Sequence, residues 1–289
     1  MLRSYLKTTY RNLIRNKVFS AINIVGLSVG IAVSLLMLVH IKRELSYETN
    51  FPKHERIYRV ASTQWAKMPP SLAEALQSEM PEIKDIGRFY YINPQIIEYE
   101  DRQITADECY LADPSVITIF DMEFTRGNPA ESLVKPNTIV LTQRVAERLF
   151  SPEEDPIGKT IRLNGHRDVM VTGIMENLSA TTHLKIDVLA SIIGSNVDTD
   201  ESRTWSGVSI YALLQSPEAA QRVSEKLRDF QYRFKQGIYT PAEIDREGDF
   251  FELHPITDIH LYSHREKEMS ANSDIRYVYL FAILSLLII

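Results

Sequence analysis

His260 and His264 stand four residues apart, with His254 before them and Glu266 and Glu268 after, a set that on a helix could hold zinc. Pro255 and the run Ile256-Thr257-Asp258-Ile259 predict an extended stretch instead, where residues four apart lie about 13 Å along the chain and reach one metal poorly. No metal site is therefore expected. The chain has no Gly-x-x-x-x-Gly-Lys-Ser/Thr segment, so it does not bind ATP through a P-loop, and metalloprotease and calcium-loop patterns are missing as well. Cys109 is the sole cysteine, which rules out an intrachain disulfide and any Cys-x-x-Cys redox or thiolate site. The expectation is a chain that is not an enzyme, with no catalytic, cofactor-binding or metal residues of its own.

What the sequence does specify is apolar length. Ala21 to Ile41 (AINIVGLSVGIAVSLLMLVHI) carries no formal charge with His40 neutral, and as a helix it spans about 31 Å, the thickness of a hydrocarbon core. Residues 21–41 are read as transmembrane helix 1. A cleavable signal peptide does not fit, because the run exceeds a usual h-region and Lys42-Arg43-Glu44-Leu45-Ser46 offers no small-x-small cleavage site. Gly26, Gly30 and Ser34 form a small-residue ladder that would let another helix pack closely.

Residues 1–20 carry Arg3, Lys7, Arg11, Arg15 and Lys17 and no acid. Basic residues beside a crossing are retained in the cytoplasm, which places the domain after Ile41 outside it. Leu2, Tyr5, Leu6, Tyr10, Leu13 and Ile14 recur at helical spacing opposite those charges, so 1–20 reads as a cytoplasmic amphipathic helix with its basic face toward anionic lipid headgroups. The net charge of −6 leaves the remainder acidic, which argues against nucleic acid as a partner. At the other end Tyr277 to Ile289 is apolar but too short to span, and 277–289 is read as the start of a truncated transmembrane helix 2.

The intervening residues 42–276 read as one extracytoplasmic α+β domain. Arg56–Ser62 predicts a strand, Pro70 the first turn of a helix carrying Leu72, Ala75, Leu76 and Met80 on one face, and Ile86–Ile92 a second strand. Val208–Leu214, a helix capped by Ser216 with Pro217 as its first residue and running to about Gln236, and Phe250–His254 form a second β-α-β unit. Ala220, Val223, Leu227, Phe230 and Phe234 make that helix's apolar seam. Between the units, about 95–205 is an inserted β-rich lobe. Its strands are 95–100, 103–111, 138–141, 159–163 and 168–174; Thr142 caps a helix over 143–150, and Asn164-Gly165 closes the last hairpin. The fold class is thus a membrane protein whose transmembrane helices flank an α+β domain with two β-α-β units and an inserted lobe.

Several strings resemble the MacB/FtsX-like permeases of ABC transporters. They are Tyr10-Arg11-Asn12-Leu13-Ile14-Arg15-Asn16-Lys17, Glu44-Leu45-Ser46-Tyr47, Arg56-Ile57-Tyr58-Arg59-Val60, Asp155-Pro156-Ile157-Gly158-Lys159-Thr160, Thr172-Gly173-Ile174 and Pro255-Ile256-Thr257-Asp258-Ile259-His260-Leu261. The linker Tyr47-Glu48-Thr49-Asn50-Phe51-Pro52-Lys53-His54 departs from that family's usual Tyr-x-x-Asn/Asp-x-Phe-His pattern. The resemblance implies a permease subunit in the cell inner membrane that works as a homodimer or pseudo-dimer. ATP would be bound by a cytoplasmic ABC ATPase partner, with a periplasmic adaptor or a substrate on the far side, in export or mechanotransmission. The other class with this layout is a membrane receptor whose extracytoplasmic domain binds a ligand.

Overall fold

The computed structural model describes residue 11 and residues 14–288. These fall into two compact units, one holding the residues up to Ser46 together with those from Ser273, the other Tyr47–Asn272. The first unit is dominated by helix α1 (Lys17–Leu45), 29 residues long. At 1.5 Å per residue it extends about 44 Å, more than a hydrocarbon core. Ile22, Val25, Leu36 and Val39 stand exposed on it, and only Ser34 and Glu44 are buried. An apolar surface of that extent calls for lipid or another partner.

In the second unit β1 (Ile57–Ser62), α2 (Ser71–Glu79) and β2 (Ile83–Tyr91) come first, as expected. There follow β3 (Gln95–Tyr99), β4 (Arg102–Ala106), β5 (Cys109–Ala112), the short α3 (Ser115–Ile119) and β6 (Phe124–Gly127). Next are β7 (Thr138–Thr142), α4 (Gln143–Leu149), β8 (Thr160–Leu163), β9 (Arg167–Met175) and β10 (Val188–Ser191). The chain then closes through β11 (Ser209–Leu214), α5 (Ala219–Phe234), α6 (Pro241–Glu247), β12 (Phe251–Pro255) and α7 (Ile256–Tyr262).

All twelve strands join one mixed sheet, ordered β12-β1-β11-β2-β5-β10-β7-β9-β8-β3-β4, with β6 on β9. The two β-α-β units are interlocked: β11 lies between β1 and β2 and is antiparallel to both, while β1 lies between β11 and β12. The strands expected as an inserted lobe do not form a layer of their own. They continue the same sheet from β5, which pairs Phe89–Tyr91 of β2 and so covers what would otherwise be an exposed edge.

Alternation along the strands sends side chains to two cores. One face packs Val60, Ile210 and Ala212 beneath α2, α4 and α5, through Leu72, Leu76, Val145, Leu149, Val223, Leu227 and Phe230. The other packs Ile57, Phe89, Tyr211 and Leu213 against Phe51, Ile119, Phe120, Ile256 and Ile259.

Four local readings change. The strand expected over 103–111 is two, β4 and β5, interrupted at Asp107-Glu108, the first pairing with β3 and the second with β2 and β10. The segment after Pro255 is helical, not extended: Ile256 and Ile259 are three apart and share the buried face of α7, while Pro255 at φ −53° ends β12. Helix α5 starts at Ala219 behind Glu218, because Ser216 and Pro217 form a tighter lead-in turn, with Ala219 N–H donating to Ser216 O and Ala220 N–H to Pro217 O, both at 3.1 Å. Thr142 precedes α4 but its hydroxyl donates to Asp187 O at 3.2 Å; Asn177 Oδ1 caps the helix instead, accepting from Arg144 N–H at 3.0 Å. The Asn164-Gly165 turn has φ +50° and +74°, and His166 N–H donates to Leu163 O at 3.2 Å.

Helix α8 (Ile275–Ile288) completes the first unit and runs antiparallel to α1. Ser34 Oγ donates to Ser285 O at 3.2 Å, and His40 meets Phe281 edge to face at 5.2 Å. With 14 residues, α8 is shorter than a membrane span.

Candidate functional site

Arg59 is in phase with Ile57 on β1 and therefore points into the second core, where it is fully buried. A buried guanidinium needs an anion and hydrogen-bond acceptors. Glu268 supplies the anion, its two oxygens meeting Nη1 and Nη2, and Ser263 Oγ accepts from Nη2 at 2.8 Å. Arg265 lies alongside. It pairs with Glu252, donates from Nε to Ser62 O at 2.6 Å, and meets His254 Nδ1 at 3.2 Å. Burial and the nearby Arg59 charge hold His254 below the usual imidazole range, which suits it to accept from Arg265.

A second buried node sits on the segment that follows α1. Glu48 has no exposed surface and φ +64°, a left-handed conformation that a residue with a Cβ adopts only when its surroundings compel it. Its Oε1 accepts from His183 N–H at 2.6 Å and faces His183 Nδ1 at 2.9 Å; Oε2 accepts from Thr182 Oγ1 at 2.8 Å. His183 Nε2 in turn meets the hydroxyl of Tyr211 on β11, and that hydroxyl lies 3.3 Å from Met269 Sδ. Burial would raise the Glu48 carboxyl, but attraction to His183 and these hydrogen bonds hold it below the ordinary glutamate value. Tyr47 stacks on His260, ring centroids 3.4 Å apart and planes within 3°.

Of the five histidines and glutamates at possible zinc spacing, the side chains of three are held in anchoring contacts. Glu268 holds Arg59, His254 faces Arg265 and His260 lies under Tyr47, while His264 and Glu266 are exposed. Among the described residues no group of three or more metal-ligating side chains converges. In the small-residue ladder, Ser34 bonds α8 and a Cβ on Gly30 would meet Ile288 at 3.3 Å, while Gly26 has nothing within 4 Å. Gly26-Leu27-Ser28-Val29-Gly30 has the letters of a nucleophile elbow but lies mid-helix in α1, where the sharp strand-to-helix turn that exposes such a serine does not exist. Arg11, Arg15 and Lys17 are exposed; Arg3 and Lys7, and with them most of the expected amphipathic head, lie outside the described residues.

Cys109 is fully buried on β5, and burial pushes its thiol up to about 12. At neutral pH it is a protonated, shielded thiol. The folded 289-residue chain is expected to resist maleimide, with one equivalent incorporated on denaturation, as intact mass will show; rapid labelling of the folded chain would contradict this packing.

A family model described as the MacB-like periplasmic core domain matches residues 20–230. The chain belongs to that family. This agrees with the resemblance to MacB/FtsX-like permeases carried by its sequence strings. A crystal structure of a permease-protein domain from Porphyromonas gingivalis is similar over 72% of this chain and 92% of its own, with 20% identity and a TM-score of 0.58, a likeness of fold. The periplasmic region of MacB from Actinobacillus actinomycetemcomitans aligns over 66% of this chain and 92% of its own, at 14% identity and a TM-score of 0.45. The extracellular domain of the noncanonic ABC-type transporter YknZ from Gram-positive bacteria aligns over 68% and 98%, at 10% identity and 0.42. Among curated protein sequences none matches.

In this MacB-like domain the polar groups with the strongest buried interactions sit on the two segments by which the chain enters and leaves the sheet. What they do is fix backbone: each fastens a terminal segment to a strand or loop through charge-assisted hydrogen bonds.

Proposed function

We propose that this chain is a permease subunit of an ABC transporter of the MacB/FtsX-like type, with its MacB-like domain outside the cytoplasm and moved by ATP hydrolysis on a separate cytoplasmic ATPase chain. The observation that carries the reading is the MacB-like domain entered directly from an apolar helix long enough to cross a bilayer. The buried anchors support it, since a domain that is to be moved by its ends needs those ends fixed to its core. The subunit contributes no nucleotide site; it would act as a homodimer or pseudo-dimer in the inner membrane, engaging a periplasmic adaptor or a substrate in efflux or mechanotransmission.

The test is to co-reconstitute the full-length protein with the ABC ATPase chain that accompanies it in mild-detergent extracts of its native membrane. Vanadate-sensitive ATP hydrolysis is expected to rise when both are in one bilayer. If no such chain accompanies it, or hydrolysis is indifferent to its presence, the permease reading fails and a receptor role takes its place. Orientation is checked separately. Replacing Arg3, Lys7, Arg11, Arg15 and Lys17 by Ser or Gln is expected to give mixed insertion, so that external protease cuts the 42–276 domain in a smaller fraction of molecules. Unchanged cleavage would show that the basic head does not set topology.

A further inference from the structure

We infer that the two ends of the extracytoplasmic domain grip different parts of its sheet: the entering segment 47–54 holds the inserted strands, and the leaving segment 263–268 holds the interlocked half made by β1 and β12. A displacement of one end against the other is thereby delivered as a relative movement of those two parts. The inference deepens the proposed permease role, on which its functional meaning rests.

The hydrogen bonds and ion pairs given below divide between the two parts, while Tyr47 stacks on His260 of α7. From the entering segment, Glu48 N–H donates to Thr181 O at 3.0 Å, and the Glu48 carboxylate takes Thr182 and the His183 backbone, all on the loop between β9 and β10. Phe51 packs on Phe120 with centroids 5.1 Å apart, and Lys53 Nζ donates to Thr118 O in α3 at 2.7 Å and to Asp121 just after it at 3.0 Å. Every one of these partners belongs to the stretch inserted between β2 and β11. From the leaving segment, Glu268 and Ser263 hold Arg59, and Arg265 holds Ser62 O and Glu252. Glu266 exchanges backbone bonds with the Gln64–Ala66 stretch, both at 2.9 Å. These partners all lie on or beside β1 and β12.

The seam between the two parts is of a different kind. Within the sheet it is the ladder of β2 and β5, three residue pairs long. Across it the rings of Phe89, Phe120 and Tyr211 meet at 5.1–6.0 Å, contacts without a directional bond. Polar bonds cross it as well: the Arg88 guanidinium clasps Asp113 through two bonds of 2.8 Å and reaches Asp198 at 3.0 Å, Ser115 Oγ donates to Ile86 O and Ser71 Oγ to Ser202 O, both at 2.7 Å, and His183 Nε2 meets the Tyr211 hydroxyl. A three-pair ladder whose ion pairs gather on Arg88 permits rotation about that residue more readily than separation.

Hydrogen exchange by mass spectrometry on the full-length chain in detergent tests the division. Glu48→Gln is expected to speed exchange in 176–187 by about tenfold or more while leaving 57–62 and 251–255 at wild-type rates. Glu268→Gln should do the reverse. If either variant loosens both sets, or Glu48→Gln leaves 176–187 unchanged, the division is wrong. Should Glu48→Gln not fold, Lys53→Ala read on 115–123 serves instead: faster exchange confined to that stretch upholds the division, and exchange that is unchanged or spreads to 57–62 overturns it. None of these readouts needs transport or ATP, so their failure is separable from failure of the permease reading.

Discussion

Replacing Arg59 by alanine is expected to destabilise the extracytoplasmic domain by about 3–5 kcal/mol, the loss typical of breaking a buried pair, and to lower its melting temperature by roughly 10 °C. The reason lies less in the lost attraction than in what stays behind. Glu268, with its side chain only 13% exposed, would keep its charge with Ser263 as the hydrogen-bonding neighbour left to it. Arg265 is committed to Ser62, His254 and Glu252. The Arg59 Nε hydrogen already lacks a partner, so the pair is itself imperfect. Removing both charges with Arg59→Met and Glu268→Leu together should therefore cost much less than Arg59→Ala alone. Thermal unfolding followed by the fluorescence of Trp65 and Trp205, the chain's two tryptophans, reads the domain directly. An Arg59→Ala melting temperature within about 2 °C of wild type, for a domain of this size under 1 kcal/mol, would show that the pair anchors nothing.

Most of the element pattern was legible because it depends on local periodicity. The seam Val223, Leu227, Phe230 and Phe234 declares α5 by its four-three-four spacing, and all four are buried. Asn164-Gly165 declares its turn because both residues tolerate positive φ. Sheet order is another matter: that β11 slips between β1 and β2, or that β5 extends β2, depends on pairings between residues as far apart as Tyr58 and Ala212, which no local pattern encodes. The anchors were half legible. Arg59 breaks the apolar phase of Ile57 and Ala61 on a strand, and a charge at a core-facing position is a sign that a counter-charge must come from elsewhere. Glu48 gave no such sign, because its burial follows from a left-handed backbone turn and a loop more than 130 residues away. The extended reading of 256–259 fails because Pro255 ends a strand instead of continuing it, and on the helix that follows the ring of His260 lies under Tyr47.

Glu48→Gln is expected to cost about 3 kcal/mol at pH 7, near the top of the range for hydrogen bonds to a charged group, and to cost progressively less as the solution is acidified. The folded-state carboxyl sits below its ordinary value of 4.5. Between those two values the unfolded chain binds the proton and the folded chain does not, so acid favours unfolding. The stabilisation is fully present above the unfolded value and is lost as pH falls through the folded one. Glutamine carries no titrating carboxyl at this position, so the variant lacks that component of acid sensitivity. The wild-type and variant stabilities, measured by urea unfolding of the detergent-solubilised full-length chain, should therefore lie far apart at pH 7 and draw together below pH 4.5. The groups facing Glu48 are Thr182 and His183, with Tyr211 behind them, and all are intact in the variant. A gap of constant size from pH 7 down to where both proteins unfold would mean that the Glu48 charge contributes nothing beyond the shape of its side chain, and that the entering segment is held by its other contacts, those of Tyr47, Phe51 and Lys53 among them.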